Sequence, residues 1–318
     1  MKTTNLRHSV LLGGLLLTIV ACGGGGSDEP EVIVPPTQPP TQPPAGSPPD
    51  NVNIDNPTLT TADNNEVSPG DKLTLVWADE FNAVQLDPEN WFFETGDGSQ
   101  YGIPGWGNNE LQYYLPNNAS LDNGLLTIDA RAESSNGHNY TSARIHTRDR
   151  FAFRYGRIEA SIRLPGGQGL WPAFWLLPQN GQYGGWAASG EIDIMEAINL
   201  GAAGGNTIYG TIHYGGSWPN NTHSGETYLV PADATAEFHT YAIEWDLNEI
   251  RWYVNDVLFA MRNSWQSTGG SFPAPFDQNF YILLNVAVGG NFPGNPDGNT
   301  VFPVTMDVDW VRVYTGEP

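Results

Sequence analysis

From Leu73 onward the chain is a succession of short segments in which apolar and polar residues alternate, cut apart by clusters of Gly, Asn and Pro. A period of two is the mark of strands lying in a sheet, because successive side chains point to opposite faces. Strands are expected, from alternation or as apolar runs bounded by such clusters, at Leu73–Trp77, Leu125–Ala130, Ser142–Thr147, Phe153–Leu164, Leu170–Leu177, Thr207–Tyr214, Thr240–Trp245, Phe280–Val288 and Met306–Tyr314. Ile250–Val254 and Val257–Met261 flank Asn255-Asp256, a pair suited to a tight hairpin turn. No run keeps a helical period, and no strand–helix–strand rhythm is present. The expected class is therefore all-β, with two antiparallel sheets packed face to face. Among 318 residues, 37 glycines and 25 prolines suit many short strands joined by turns.

One of these segments carries chemistry. Gly190–Ala197 places Glu191, Asp193 and Glu196 among Ile192, Ile194 and Met195. Glu191 and Asp193 share a face, but Glu196, five residues after Glu191, should point into the core, where an unpaired carboxylate is costly. One extra residue in the strand, a β-bulge near Ile194–Met195, returns it to the polar face. The glutamate Cα atoms then lie about 13.5 Å apart at ~3.4 Å per residue. With the side chains leaning together, their carboxyls come to about 6 Å, near the ~5–5.5 Å of retaining glycoside hydrolysis. A solvated acidic strand edge is the plain alternative at this point.

The stretch Trp186-Ala-Ala-Ser-Gly-Glu-Ile-Asp-Ile-Met-Glu196 resembles the signature of glycoside hydrolase family 16, in the bulged form of the laminarinases, which are endo-1,3-β-glucanases. Further matches follow in order: Trp106-Gly-Asn-Asn-Glu-Leu-Gln-Tyr-Tyr114, Leu170-Trp-Pro-Ala-Phe-Trp-Leu-Leu177, Thr211-Ile-His-Tyr-Gly215 and Asp309-Trp-Val-Arg-Val-Tyr314. The resemblance runs from about Leu73 to Thr315. It implies a β-jelly-roll sandwich of two antiparallel sheets, with a concave sheet forming a substrate cleft. It also implies a retaining endo-hydrolase of β-1,3-glucan, and of mixed-linkage glucan as a second substrate. Glu191 would be the nucleophile, Glu196 the acid and then the base, and Asp193 the group that orients the nucleophile. Alternatives on the same fold are an agarase- or carrageenase-like hydrolase, a transglycosylase, or a non-catalytic glucan binder.

Sugar rings offer apolar faces and hydroxyl edges, so aromatic platforms and polar side chains are sought together. Trp106, Trp171, Trp175, Trp186 and Trp218 are candidate platforms, although with 11 tryptophans some belong to the core. Asn108, Glu110 and Gln112 alternate as along one strand face, with Glu110 alternatively paired to an arginine. By the resemblance, Arg144 contacts sugars on the non-reducing side and His213 lines the cleft, a lone histidine being otherwise a structural residue. No metal-ligand cluster stands out, and no catalytic cofactor is expected. By the resemblance a structural Ca²⁺ is implied at Glu80, the carbonyl of Gly124 and Asp309, oxygen donors of the kind calcium takes, with a turn or surface position the alternative for Asp309.

The first 70 residues read differently. Lys2 and Arg7 precede an apolar run, Val10–Val20, too short to span a bilayer and typical of a signal-peptide core. It ends Ile19-Val20-Ala21-Cys22, which resembles the bacterial lipoprotein box. The resemblance implies cleavage after residue 21 and lipid on Cys22, against the alternative of plain secretion with an incidental cysteine. Residues 22–70 open with glycines and continue into Pro35-Pro-Thr-Gln-Pro-Pro-Thr-Gln-Pro-Pro44. This composition fits an extended tether, or else a ligand for a proline-binding module. Residues 71–318 form the expected catalytic domain, held at the cell envelope, on the outer membrane or cell surface, and monomeric. Cys22 is the only cysteine, so no intramolecular disulfide forms. Thirteen Lys+Arg against 35 Asp+Glu give a net charge of −22, which excludes nucleic acid as a partner and leaves a neutral polysaccharide unhindered.

Overall fold

A computed structural model describes residues 73–316, and these hold seventeen strands and no α-helix. The signal-peptide, lipidation and tether expectations, Cys22 among them, lie outside the described residues. In chain order the strands begin with β1 (Thr74–Asp79), β2 (Phe92–Glu94), β3 (Gln112–Tyr114), β4 (Ala119–Asp122), β5 (Leu125–Ala130) and β6 (Tyr140–Ser142). Next come β7 (Arg144–His146), β8 (Gly156–Arg163), β9 (Leu170–Pro178), β10 (Glu191–Ala197), β11 (Thr207–Tyr214) and β12 (Thr222–Leu229). The set closes with β13 (His239–Trp245), β14 (Ile250–Val254), β15 (Val257–Arg262), β16 (Phe280–Val288) and β17 (Val304–Thr315).

They form the two antiparallel sheets of a jelly-roll sandwich. One has eight strands in the order β15-β14-β13-β8-β17-β5-β4, with β1 also paired to β17. The other has seven, β12-β11-β10-β9-β16-β7-β2, and carries the acidic strand near its middle. A small parallel pair, β3 and β6, stands apart. Alternation explains which side chains meet. On β5, Leu126, Ile128 and Ala130 are buried while Leu125, Thr127 and Asp129 are partly exposed. Across from them, Phe174, Leu176, Ile192, Ile282, Leu284 and Val286 of the seven-stranded sheet complete one core. Each fully buried Ile, Leu or Phe contributes roughly 1.5–3 kcal/mol.

The outer face of the seven-stranded sheet is also largely covered, so β9, β10 and β16 are buried at every position. Residues of this face, Ala173, Trp175, Leu177, Trp186, Tyr281 and Leu283, pack as a cluster separate from the core. That face, with apolar walls, is where the acidic residues sit.

The bulge lies where the spacing of the glutamates requires it. Against β11, Asp193 pairs with Thr211 and Glu196 with Tyr209, three steps opposing two. Against β9, Asp193 pairs with Trp175 and Met195 with Phe174, so the extra residue falls at Ile194–Met195. Ile194 and Met195 both enter the core, and Glu196 returns to the face of Asp193 and Glu191.

Several expected segments differ from those observed. Ser142–Thr147 is not one strand. The chain leaves the parallel pair after Ser142 and joins the seven-stranded sheet at Arg144. β8 begins only at Gly156, and Phe153 makes an isolated bridge to Phe280. Asn108 and Glu110 do not share a strand with Gln112, since both precede β3 in an irregular loop. The expected hairpin turn is present, with Asn255 and Asp256 both at positive φ (48° and 61°) as a two-residue turn of this type demands.

Candidate active site

Register places the functional side chains in rows across the seven-stranded sheet. Asp193 stands between Trp175 of β9 and Thr211 of β11; Glu196 stands between Ala173 and Tyr209; Glu191 stands opposite His213. The next strand outward, β16, sets Asn285 beside Ala173, and β7 sets Arg144 beside Asn285. At the edge, Glu94 of β2 faces Arg144.

Each glutamate is held by a different tryptophan. The indole Nε1 of Trp186 donates to Glu191 Oε2 at 2.9 Å, and that of Trp171 donates to Glu196 Oε1 at 2.8 Å. The second oxygen of Glu196 is buried and has no hydrogen-bond partner. His213 Nε2 lies 3.3 Å from Asp193 Oδ2 and 3.8 Å from Glu191 Oε1. These side chains are almost wholly buried, which penalises their charged forms.

The protonation states follow. Burial first, and then the charge of Asp193, push the Glu196 carboxyl up to about 8, against the pull of His213 and the Trp171 N–H. Glu196 therefore keeps its proton at neutral pH and can give it away. Burial also holds Asp193 well above the carboxylate range. Glu191 is raised by burial and by Asp193, and lowered by His213 and the Trp186 N–H. Both of these contacts favour the charged form of Glu191 against its burial. One strand thus carries two carboxyl groups in different surroundings, of the kind that glycoside hydrolysis with retention uses.

A polar chain leads sideways from this centre. Trp175 Nε1 donates to Asn285 Oδ1 at 2.8 Å, and Asn285 Nδ2 donates to the Tyr114 hydroxyl at 3.2 Å. The Tyr114 hydroxyl, Gln112 Nε2 (2.7 Å) and Asn108 Nδ2 (3.2 Å) all donate to Glu110. Burial raises Glu110 to about 6 in spite of those donors and the nearby Arg144. The arginine itself is not hydrogen-bonded to Glu110: Arg144 pairs with Glu94, and its guanidinium lies 4.5 Å from the ring centre of Trp106 and 4.9 Å from that of Trp175. Gln112 is fully buried and accepts from the Val288 N–H, so it ties the loop to β16 rather than lining a cleft. Asn108 keeps a buried Oδ1 without a partner.

The candidate platforms divide into classes. Trp106 is core, its Nε1 donating to the Gly96 carbonyl. Trp171 and Trp186, only 7% and 6% exposed, act on the glutamates through their N–H groups. Trp218 is the open one, 42% exposed, its backbone N–H donating to the Trp186 carbonyl. Glu94, Asn285 and Tyr209 are site residues that sequence reasoning missed. Glu94 sits on a three-residue strand too short to show a period, and the neighbours of the other two are set by pairing between distant strands.

Two groups bear on metals. Glu191, Asp193 and His213 each bring a ligand atom within 4.8 Å of one another, a trio that no spacing in the sequence revealed. Burial, which penalises the charged form of Asp193, disfavours it as a ligand. On the eight-stranded sheet, Asp309 occupies a bulge of β17 between Val308 and Trp310. Glu80 accepts from Arg312 with both carboxylate oxygens (2.8 and 3.0 Å), and Gly124 lies in the turn between β4 and β5. Burial and the Glu80 charge raise Asp309.

A family model, glycosyl hydrolases family 16, matches residues 105–312. The chain is 42% identical over 260 residues to the glucan endo-1,3-β-glucosidase A1 of Niallia circulans, covering 76% of this chain and 38% of that longer protein. It is 41% identical over 251 residues to the β-glucanase of Rhodothermus marinus, covering 76% of this chain and 84% of that one. Among solved structures, the endo-β-1,3-glucanase of Pyrococcus furiosus superposes with a TM-score of 0.70 at 42% identity, over 77% of this chain and 95% of that one.

Proposed function

Because the chain belongs to glycosyl hydrolase family 16, we propose that it cuts β-1,3-glucan internally with retention, Glu191 and Glu196 being the working pair. The observation that carries this reading is the bulge at Ile194–Met195, which brings Glu196 back to the face of Glu191 while the hydrophobic residues between them stay in the core. In the first step the Glu191 carboxylate attacks the anomeric carbon, and Glu196 gives its proton to the departing glycosidic oxygen. The glycosyl ester on Glu191 and a shortened chain result. In the second step the Glu196 carboxylate takes a proton from water, whose oxygen displaces Glu191 from the anomeric carbon. Trp186 orients the nucleophile and Trp171 the acid through their N–H groups. Asp193 with His213 keeps the two glutamates in different protonation states. Trp218 offers a stacking face beside Trp186, and Arg144, fixed by Glu94, offers guanidinium N–H groups to sugar hydroxyls. Laminarin, lichenan, agarose and carrageenan are to be incubated with the protein and the products sized. Oligosaccharides from laminarin, with lichenan as a second substrate, support the reading. Release from agarose or carrageenan alone, or from none of the four, overturns it.

The reading extends to the chain's setting. A lipid on Cys22 and a proline-rich tether would hold a monomeric catalytic domain at the cell envelope, supported by the Ala21-Cys22 box and the composition of residues 22–70. Cys22→Ser should move the protein from the membrane fraction to the soluble one. A structural Ca²⁺ at Glu80, the Gly124 carbonyl and Asp309 is supported by the raised Asp309 carboxyl, whose crowding with Glu80 a cation would relieve. Glu80 has lone pairs left beyond the two Arg312 bonds. Thermal unfolding unchanged by EDTA and by added Ca²⁺ would remove the ion from the account.

A further inference from the structure

The row of side chains that passes through the catalytic centre continues to the edge of the sheet. Trp175 stands opposite Asp193, Leu283 opposite Trp175, His146 opposite Leu283, and Phe92 opposite His146. Phe93 packs on the core, so Phe92 shares the other face with Glu94, the partner of Arg144. Phe92 is 49% exposed, in contrast to the buried tryptophans further in. A single exposed aromatic is ordinary on a protein surface; the setting of this one is not.

His146 lies against it, with ring centres 5.3 Å apart, and is itself backed edge-on by Tyr281 at 5.6 Å. The backbone N–H of Arg148 donates to His146 Nδ1 at 3.0 Å. With Nδ1 accepting, the ring proton of neutral His146 resides on Nε2, which is then a donor. Burial, with Arg144 and Arg148 nearby, lowers His146 to about 4, so the ring stays neutral at working pH. Arg148 adds a second donor: its guanidinium carbon sits 5.9 Å from the centre of the Tyr281 ring, and its Nε is buried without a partner. An apolar ring face with N–H donors at its margin is the combination a pyranose requires, face for the C–H groups and donors for the hydroxyl edge.

We propose that Phe92, with His146 and Arg148, forms a distal platform for a glucosyl unit of the bound chain, on the Arg144 side of the bond that is cut. Four strand steps separate β10 from β2, about 19 Å at ~4.8 Å per step. At about 5 Å per pyranose, from ordinary bond lengths, that is three to four glucosyl units from the cleavage point. The consequence is a preference for long chains set at the edge of the sheet. This inference rests on the β-1,3-glucan reading above.

The test compares the unaltered protein with Phe92→Ala and Phe92→Trp on 1,3-β-linked gluco-oligosaccharides of increasing length, from trimer to octamer, measuring kcat/KM for each. In the unaltered protein, kcat/KM climbs until the chain reaches Phe92. Phe92→Ala loses about 3–10-fold on the long chains, the worth of one aromatic contact, with the trimer unchanged, and Phe92→Trp keeps the gain. Equal rates for Phe92→Ala and the unaltered protein at every length would overturn the platform. So would a loss of the same size on the trimer, or a Phe92→Trp variant that behaves like the alanine. If the unaltered protein cleaves none of the oligosaccharides, the substrate reading itself fails, and the platform with it.

Discussion

Glu196→Gln should make the protein more stable while abolishing its activity, and the size of the gain should depend on pH. The carboxyl of Glu196 rises from its ordinary 4.5 to about 8 in the folded protein, chiefly through burial and then through Asp193. A folded-state value above the unfolded one means that folding favours the protonated form. The associated stability is fully present below pH 4.5 and drains away as pH rises to about 8. That interval, at about 1.4 kcal/mol per pH unit, corresponds to about 5 kcal/mol in all. Glu196 titrates together with Asp193 and Glu191, so this figure is the upper limit of what its own ionisation costs. Glutamine keeps the neutral form at every pH, and its amide oxygen still accepts from Trp171 Nε1. The variant should therefore match the parent at pH 4 and exceed it by up to about 5 kcal/mol at pH 8.5, or up to about 10–20 °C in Tm for a domain of this size. Urea unfolding at both pH values measures it. A variant less stable than its parent at pH 8.5, or equally stabilised at pH 4, would refute the claim that Glu196 is a buried acid kept neutral by its surroundings.

Two further outcomes follow from the same contacts. Trp171→Phe removes the N–H that favours the ionised form of Glu196, so the basic limb of the kcat/KM profile on laminarin, expected near pH 8, should move up by about 1–2 pH units, the worth of a hydrogen bond to a charged group; a limb that stays or falls would contradict the assignment. Glu94→Gln withdraws the charge that fixes Arg144 between Trp106 and Trp175, and should raise KM by about 5–10-fold at nearly constant kcat, as expected when a contact that positions substrate is weakened by about 1 kcal/mol.

Part of the fold was legible because strands buried on one face declare their period, as β5 and β14 do, while β16, buried throughout, shows as an apolar run between turns. β5, β11, β14 and β16 lie over the expected residues. The bulge was legible for a related reason: Glu196 breaks the alternation that Glu191 and Asp193 obey, and a carboxylate cannot be left among aliphatics. β2, β3 and β4 are too short for a pattern, and β12, Thr222–Leu229, is polar on both faces at an edge of the sheet. Asn108 and Glu110 alternate like a strand but lie in a loop, since Glu110 takes its hydrogen bonds from Asn108, Gln112 and Tyr114. The use of Trp171 and Trp186 was also hidden. Their abundance pointed to stacking, whereas their N–H groups are spent on the two glutamates. Such pairings depend on which strands become neighbours, and local sequence does not encode that.

Retention requires Glu191 and Glu196 to flank one glycosidic bond closely enough for a covalent sugar to form on the first. Proton NMR of a fresh digest of a 1,3-β-gluco-oligosaccharide reads this directly from the configuration of the newly released anomeric carbon. The β anomer should accumulate first and only later mutarotate to the α. First release of the α anomer would mean that water, not Glu191, attacks the sugar, and the proposed roles of both glutamates would fall.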